Sequence, residues 1–124
     1  MPRNDVPRQE LLGEWFAEWT SDPPVYGQAT EFLAELISKD PGRAWAFILE
    51  LVAHAPNDDA LDWIGAGPLE DLLCDHGPAF IDRVEELAAK DQRFRSALAS
   101  VRGDVRMDSP TRARLGAIAR DAGC

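Results

Sequence analysis

The sequence is poor in the residues on which small active sites and secreted folds depend. It contains two cysteines, two histidines and one tyrosine among 124 residues. Cys74 and Cys124 are too few for a disulfide framework, so we expect a reduced, cytoplasmic protein. No run of about 18 apolar residues is present, which argues against a membrane-spanning helix. The first residues also lack the apolar stretch of a signal peptide, and we expect none.

Strand patterns are missing as well. No segment alternates apolar and polar residues with a period of two, whereas helical spacing occurs along almost the whole chain. The apolar residues of the first helical segment are Leu11, Leu12, Trp15, Phe16 and Trp19. Residues 44–55 are apolar on nearly all sides, which is typical of a helix at the centre of a domain. We therefore predict an all-α fold.

Capping residues and prolines mark where these helices begin. Asp40 and Asn57 are favourable N-cap residues, and Asp91 lies near the start of a later helix. Gly67-Pro68 and Gly77-Pro78 each indicate a further helix start, because the first helical position does not need the N–H that proline lacks. We interpret the glycines around Gly67 as a tight helix–helix turn rather than a phosphate-binding loop.

These boundaries predict a single helical domain over residues 1–124. We expect a compact bundle of about seven or eight short antiparallel helices with a HEAT-like arrangement of hairpins. No repeated residue pattern accompanies the helix lengths. Residues 1–8 and 103–108 are predicted to be mobile.

Charge is strongly uneven along the chain. The formal net charge is −9, from 22 acids and 13 bases. Residues 54–91 are the most acidic part, whereas residues 92–124 are rich in arginine. Direct nucleic-acid binding is disfavoured, because most of the chain would repel phosphates. Two interpretations stay open: the basic end neutralises the acidic middle, or the acidic surface recruits a basic partner.

Catalytic and metal-binding patterns are weak. Cys74 and His76 are two positions apart, so on a helix their side chains diverge and cannot form a nucleophile–base pair. His54, His76 and nearby aspartates could supply metal ligands, but no known metal-motif spacing is present. We therefore predict no catalytic residue, no metal and no cofactor.

Two groups of residues are candidates for partner binding. The first group contains six carboxylates and a histidine: Asp58, Asp59, Asp62, Glu70, Asp71, Asp75 and His76. The second is an aromatic pair, Trp15 and Trp19, which share a helix face. Core packing is our favoured interpretation of this pair, and a partner interface is the alternative. A homodimer built on the same face is compatible with each function considered below.

Residues 61–101 also carry a specific set of patterns. They comprise G-P-L-E-D-L-L (67–73), His76-Gly77, F-I-D-R-V-E (80–85) and D-x-R-F-R-x-A-L (91–98). This region resembles an uncharacterised bacterial all-helical family, a domain-of-unknown-function group. The resemblance implies a bacterial or phage-related cytosolic protein, but it supplies no activity and no catalytic residues.

The leading functional prediction is a non-enzymatic protein–protein interaction module of the inhibitor or immunity type. Its acidic helical surface would bind another protein that has a basic surface, without nucleic acid or membrane as a partner. One alternative is an acidic nucleic-acid mimic that blocks a DNA- or RNA-binding defence protein, which requires carboxylates spaced like phosphates on one face. Another is a metal-dependent hydrolase that uses His54, His76 and the aspartates.

Overall fold

The computed structural model describes residues 8–23, 25–102 and 106–122, and the side chains within residues 10–118 of these ranges. The described chain contains helices and no strand, which confirms the all-α prediction. The helices are α1 (Arg8–Thr20), α2 (Gln28–Lys39), α3 (Pro41–His54), α4 (Asp58–Ile64), α5 (Glu70–Ala88), α6 (Gln92–Leu98) and α7 (Ser109–Ala122). A π-helical turn (Gly65–Leu69) connects α4 to α5.

The predicted number of helices is slightly too high. The chain is helical without interruption from residue 58 to residue 88, so six continuous helical stretches occur in the described ranges. Gly67-Pro68 does not form the predicted corner. Pro68 instead lies inside the π turn and is buried. The wider turn relieves the clash between the proline ring and the carbonyl group four residues earlier.

The second glycine–proline pair does mark a break. His76 has a non-helical backbone, with φ −138° and ψ 26°, so α5 is kinked there. Pro78 then lies in the first turn of the second half of α5, where its missing N–H costs no hydrogen bond. The sequence thus predicted one of the two Gly-Pro features correctly.

Three helix starts follow the predicted capping residues. In each case a side-chain oxygen accepts a hydrogen bond from the backbone N–H three residues later. The pairs are Asp40 with Arg43 (3.5 Å), Asn57 with Ala60 (2.9 Å) and Asp91 with Phe94 (3.1 Å). These local contacts fix the starts of α3, α4 and α6.

The core is built around α3, as its apolar sequence predicted. This helix contributes five buried residues: Ala44, Phe47, Ile48, Leu51 and Val52. Buried residues of the other helices join them in one hydrophobic cluster, and Leu115 and Ile118 of α7 pack against it. No helix in the described ranges has the length and apolar character needed to cross a bilayer.

The first helix places its tryptophans against this core. Trp15 is 1% exposed, so it is a core residue and not part of an aromatic interface. Trp19 is half-buried and stacks on Trp15 with ring centroids 5.4 Å apart. Its other neighbour is Trp63, at 6.5 Å. The interface alternative is wrong for Trp15, because the apolar stripe of α1 packs into the domain and buries its ring.

The segments predicted to be mobile lie mostly outside the described residues. Residues 1–7 and 103–105 lie outside the described residues, whereas residue 8 is the first residue of α1. Residues 106–108 are described and make defined contacts. Met107 is 3% exposed, and Asp108 accepts hydrogen bonds from the backbone and hydroxyl of Thr111 at 3.1 and 2.7 Å.

Candidate functional site

Helices α4 and α5 bring three of the six predicted carboxylates, Asp62, Glu70 and Asp71, into contact with the segment after α6. Asp62 accepts a hydrogen bond from the hydroxyl of Ser100 at 2.9 Å. Glu70 accepts one from the backbone N–H of Arg102 at 2.7 Å. Asp71 and Asp75 follow on α5, one helical turn apart and therefore on the same face. We call Asp62, Glu70, Asp71 and Asp75 the acidic ridge.

One arginine of the same chain lies against the acidic ridge. The guanidinium of Arg106 is 3.1 Å from Asp71 and 3.9 Å from Glu70. A second contact of this kind joins Arg114 of α7 to Asp82 and Glu85 of α5. Both contacts are those expected if the arginine-rich end neutralises part of the acidic middle.

The ridge nevertheless keeps an excess of negative charge. Burial raises the pKa of Asp71 above its ordinary value, the Arg106 hydrogen bond and charge lower it, and Glu70 and Asp75 raise it again. The net result is a raised pKa. Burial is the largest of these effects, and the single Arg106 guanidinium does not outweigh burial and the two neighbouring carboxylates together.

Cys74 lies within this group and is half-buried. Burial raises the pKa of its thiol, Arg106 lowers it, and the three carboxylates of α5 in the ridge raise it further. The thiol is therefore protonated at neutral pH. Since the thiolate is the nucleophilic form, this environment is the opposite of an activated cysteine.

The remaining two carboxylates lie at the other end of α4. Asp58 and Asp59 form its first turn and are exposed. The helix dipole favours negative charge in the first turn of any helix, so these two carboxylates do not by themselves indicate a binding function. The structure thus separates the predicted acidic group into the ridge and this exposed pair.

His76 is held by the fold. Its Nε2 lies 2.7 Å from the carbonyl oxygen of Ile37, in the last turn of α2, and it must donate because a carbonyl only accepts. The side chain is half-buried at the kink of α5. This predicted site residue therefore has a structural contact that satisfies a carbonyl at the end of another helix.

His54 is exposed at the end of α3. Its Nδ1 lies 2.9 Å from the carbonyl oxygen of Glu50 in the same helix. The two histidines thus bond to different helices. In the part of the chain that the structure describes, no three His, Cys, Asp or Glu residues are grouped so that they could hold a metal ion.

Some helix caps are made between residues far apart in sequence, and the sequence did not predict them. Gly27, which precedes α2, has no capping side chain of its own. Glu18 of α1 supplies the cap instead: its carboxylate accepts from the N–H groups of Gly27, Ala29 and Thr30 at 3.2, 2.9 and 2.9 Å. Nothing in the local sequence of α2 signals this contact.

Two arginines cap helix ends in the same way. Arg93 donates to the carbonyl oxygens of Val52 and Ala55 at the end of α3, at 3.0 and 2.6 Å. Arg95 donates to the carbonyl oxygen of Ala88 at the end of α5, at 2.6 Å. Cations are favoured near helix C-termini, where carbonyl groups lack intrahelical partners.

A second feature missed by sequence analysis is a cleft between α6 and α7. It has a volume of about 510 Å³ and its lining includes Arg95, Arg102 and Arg112. The arginine content of this region was evident from the sequence. That three of these arginines line one concave space depends on the packing of α7 against α6.

Comparison with known protein families gives a match over most of the chain. The model of DUF6869, described as a family of unknown function, matches residues 20–123. No curated protein and no solved structure matches the chain. All the sequence patterns noted between residues 61 and 101 lie inside the matched region. Because the match covers most of the sequence, the chain belongs to DUF6869, a family of unknown function.

Proposed function

We propose that this protein is a non-enzymatic interaction module of the inhibitor or immunity type, which binds a partner with a basic surface. The acidic ridge and the pair Asp58 and Asp59 form the binding surface. Opposite charge would steer the partner during association and make binding sensitive to salt. A cytoplasmic location and a bacterial origin are part of this proposal.

The observation that supports it best is the incomplete neutralisation of the ridge. Arg106 contacts two of the four ridge carboxylates, Glu70 and Asp71, and the pKa of Asp71 remains raised by burial and by the neighbouring carboxylates. Asp75 is exposed on the same face of α5. Closely spaced carboxylates destabilise one another, and a cationic group of a partner would relieve that repulsion.

A binding experiment with charge variants tests the proposal. The full-length protein is immobilised and exposed to lysate of its host at low and high salt. We expect it to retain a specific protein at low salt. Asp58→Asn/Asp59→Asn/Asp75→Asn should lose that protein, because it removes three of the four exposed carboxylates of the proposed surface.

The matched control is Glu14→Gln/Glu31→Gln/Glu86→Gln, which changes the net charge equally at exposed positions elsewhere. It should retain the partner, and circular dichroism should show both variants folded. Equal capture by the two variants, or no captured protein at low salt, would overturn the proposal. If the captured protein binds nucleic acid and duplex DNA competes for it, the surface acts as a nucleic-acid mimic.

A further inference from the structure

We propose that the cleft between α6 and α7 binds a small organic anion: a carboxylate attached to an apolar body. The cleft has a volume of about 510 Å³, which lies within the range of small-molecule sites in proteins. None of its described lining residues belongs to the acidic surface proposed above.

The charge of the cleft is opposite to that of the molecule. The protein has a formal net charge of −9. Yet among the described residues, the charged ones that line the cleft are Arg95, Arg102 and Arg112, and none of the described lining residues is a carboxylate. Guanidinium groups pair with carboxylates through two parallel hydrogen bonds, so three of them facing one concave space favour an anionic ligand.

Hydrogen bonds hold Arg95, the backbone of Arg102 and Arg112 beside the cleft. Arg95 is half-buried and its Nη1 is bonded to the carbonyl oxygen of Ala88, which leaves further N–H donors on the same guanidinium. The backbone at Arg102 is held by its hydrogen bond to Glu70. Arg112 lies within 3.4 Å of the Ser109 hydroxyl and near Asp108, whose carboxylate bonds to Thr111.

The rest of the lining suits an apolar body. Leu98 and Val101 contribute from the α6 side, and Leu115 and Ile118 from α7. Val101, Leu115 and Ile118 are only partly buried, although they pack against the core. A ligand with an aliphatic chain would remove this apolar surface from water while its carboxylate meets the arginines.

Titration of the full-length protein with octanoate, followed by NMR of backbone amides, tests this proposal. We expect saturable shifts around residues 95–102 and 112–118, with a Kd of about 1 mM, as is reasonable for a ligand of this size. Acetate lacks the apolar body and octyltrimethylammonium has the opposite charge. Neither should produce the same saturable shifts.

Two variants test separately whether octanoate binding depends on the charge of the cleft and on its shape. Arg102→Gln/Arg112→Gln should weaken octanoate binding about tenfold or more, because two charge-assisted hydrogen bonds are lost. Gly116→Leu should abolish binding by placing a large side chain at a lining position. Lys39→Gln/Lys90→Gln removes two exposed cations elsewhere and should bind octanoate normally.

The outcomes distinguish this site from the acidic surface. Asp58→Asn/Asp59→Asn/Asp75→Asn should bind octanoate like the unmodified protein. The inference is overturned if octanoate causes no saturable shifts, if octyltrimethylammonium binds equally well, or if the arginine and lysine variants behave alike. Amide spectra of each variant show whether it is folded before its affinity is compared.

Discussion

Gly77 of α5 and Thr111 of α7 are packed so closely that a side chain at position 77 has no room. A Cβ atom there would lie 2.6 Å from Thr111 Oγ1 and 2.8 Å from its Cγ2. Thr111 is 1% exposed and its hydroxyl bonds to Asp108, so it cannot easily turn away. The start of α7 therefore rests on the backbone of α5 beside the kink.

Gly77→Ala should consequently destabilise the protein by about 1–3 kcal/mol, the usual cost of overpacking a close contact. Urea denaturation measures the change. Gly13→Ala is the control: nothing lies within 4 Å of a Cβ at that exposed helical position. It should stabilise by about 0.5–1 kcal/mol, because alanine favours a helix more than glycine does. A loss of stability at position 13 as large as at position 77 would contradict this explanation.

Gly65→Ala should be more damaging. A Cβ at Gly65 would overlap the backbone carbonyl of Ala97, and a backbone group cannot rotate away as a side chain can. We expect a loss on the order of 3 kcal/mol or failure to fold. The control is Gly67→Ala, whose Cβ would meet only Trp19 at 3.5 Å, an ordinary contact. Comparable unfolding midpoints for the two variants would refute the predicted difference.

The cap from Glu18 predicts a dependence of stability on pH. Desolvation raises the pKa of Glu18, but the hydrogen bonds from Thr30, Ala29 and Gly27 together outweigh it and lower the pKa below 4.5. A lowered pKa means that the unfolded chain takes up a proton first as pH falls. The cap therefore contributes its full share to the free energy of unfolding at pH values well above 4.5. This contribution is lost as the pH falls below 4.5 and through the pKa of Glu18 in the folded state.

Glu18→Gln should lower the free energy of unfolding at pH 7 by about 1–2 kcal/mol, as expected for a lost helix cap. At pH 3 the difference from the unmodified protein should be smaller. Gly27→Ala should resemble it at pH 7, because the new Cβ would lie 2.5 Å from Glu18 Cδ and displace the carboxylate. Glu14→Gln, exposed on the same helix, is the control. A Glu18→Gln effect that is the same at both pH values would exclude this linkage.

Removing the cation beside the acidic ridge should raise the pKa of Asp71 further. Burial already raises that pKa, and Arg106 opposes the increase through its hydrogen bond and charge. Carboxyl ¹³C NMR titration of Arg106→Gln measures the change directly. Arg114→Gln, which removes an arginine bonded to Asp82 and Glu85, should leave Asp71 unchanged. An unaltered Asp71 titration in Arg106→Gln would show that this contact does not form in solution.

The predictable features of the fold are those made by residues close in sequence. Asp40, Asn57 and Asp91 cap helices through partners three residues away, so local patterns were sufficient to find them. Glu18 and His76 reach partners up to 12 and 39 positions away. No local rule indicates such contacts, and the sequence consequently predicted His76 only as a candidate for partner binding.

The role of the glycines was predicted less well, for a related reason. Glycine before proline suggested a turn at Gly67, yet the chain there continues as a π turn and a helix. At position 65 a glycine is needed for packing, because the carbonyl group of Ala97 in α6 occupies the space that a Cβ atom would take. For the candidate site, spacing alone placed Asp71 and Asp75 on one face. The contact between Asp71 and Arg106 could not be predicted in this way, because the two residues are 35 positions apart and meet only in the folded structure.

Caps supplied by other helices also affect how the chain acquires its structure. At the N-terminal end of α2, backbone N–H groups donate to Glu18 of α1. At its C-terminal end, the carbonyl oxygen of Ile37 accepts from His76 of α5. A peptide of residues 25–40 lacks both, and we expect it to be largely unstructured in water. In the intact protein, the amide hydrogens of Gly27, Ala29 and Thr30 should exchange slowly, although first-turn amides usually exchange fast. Their exchange would report the concerted separation of helices rather than fraying of a helix end.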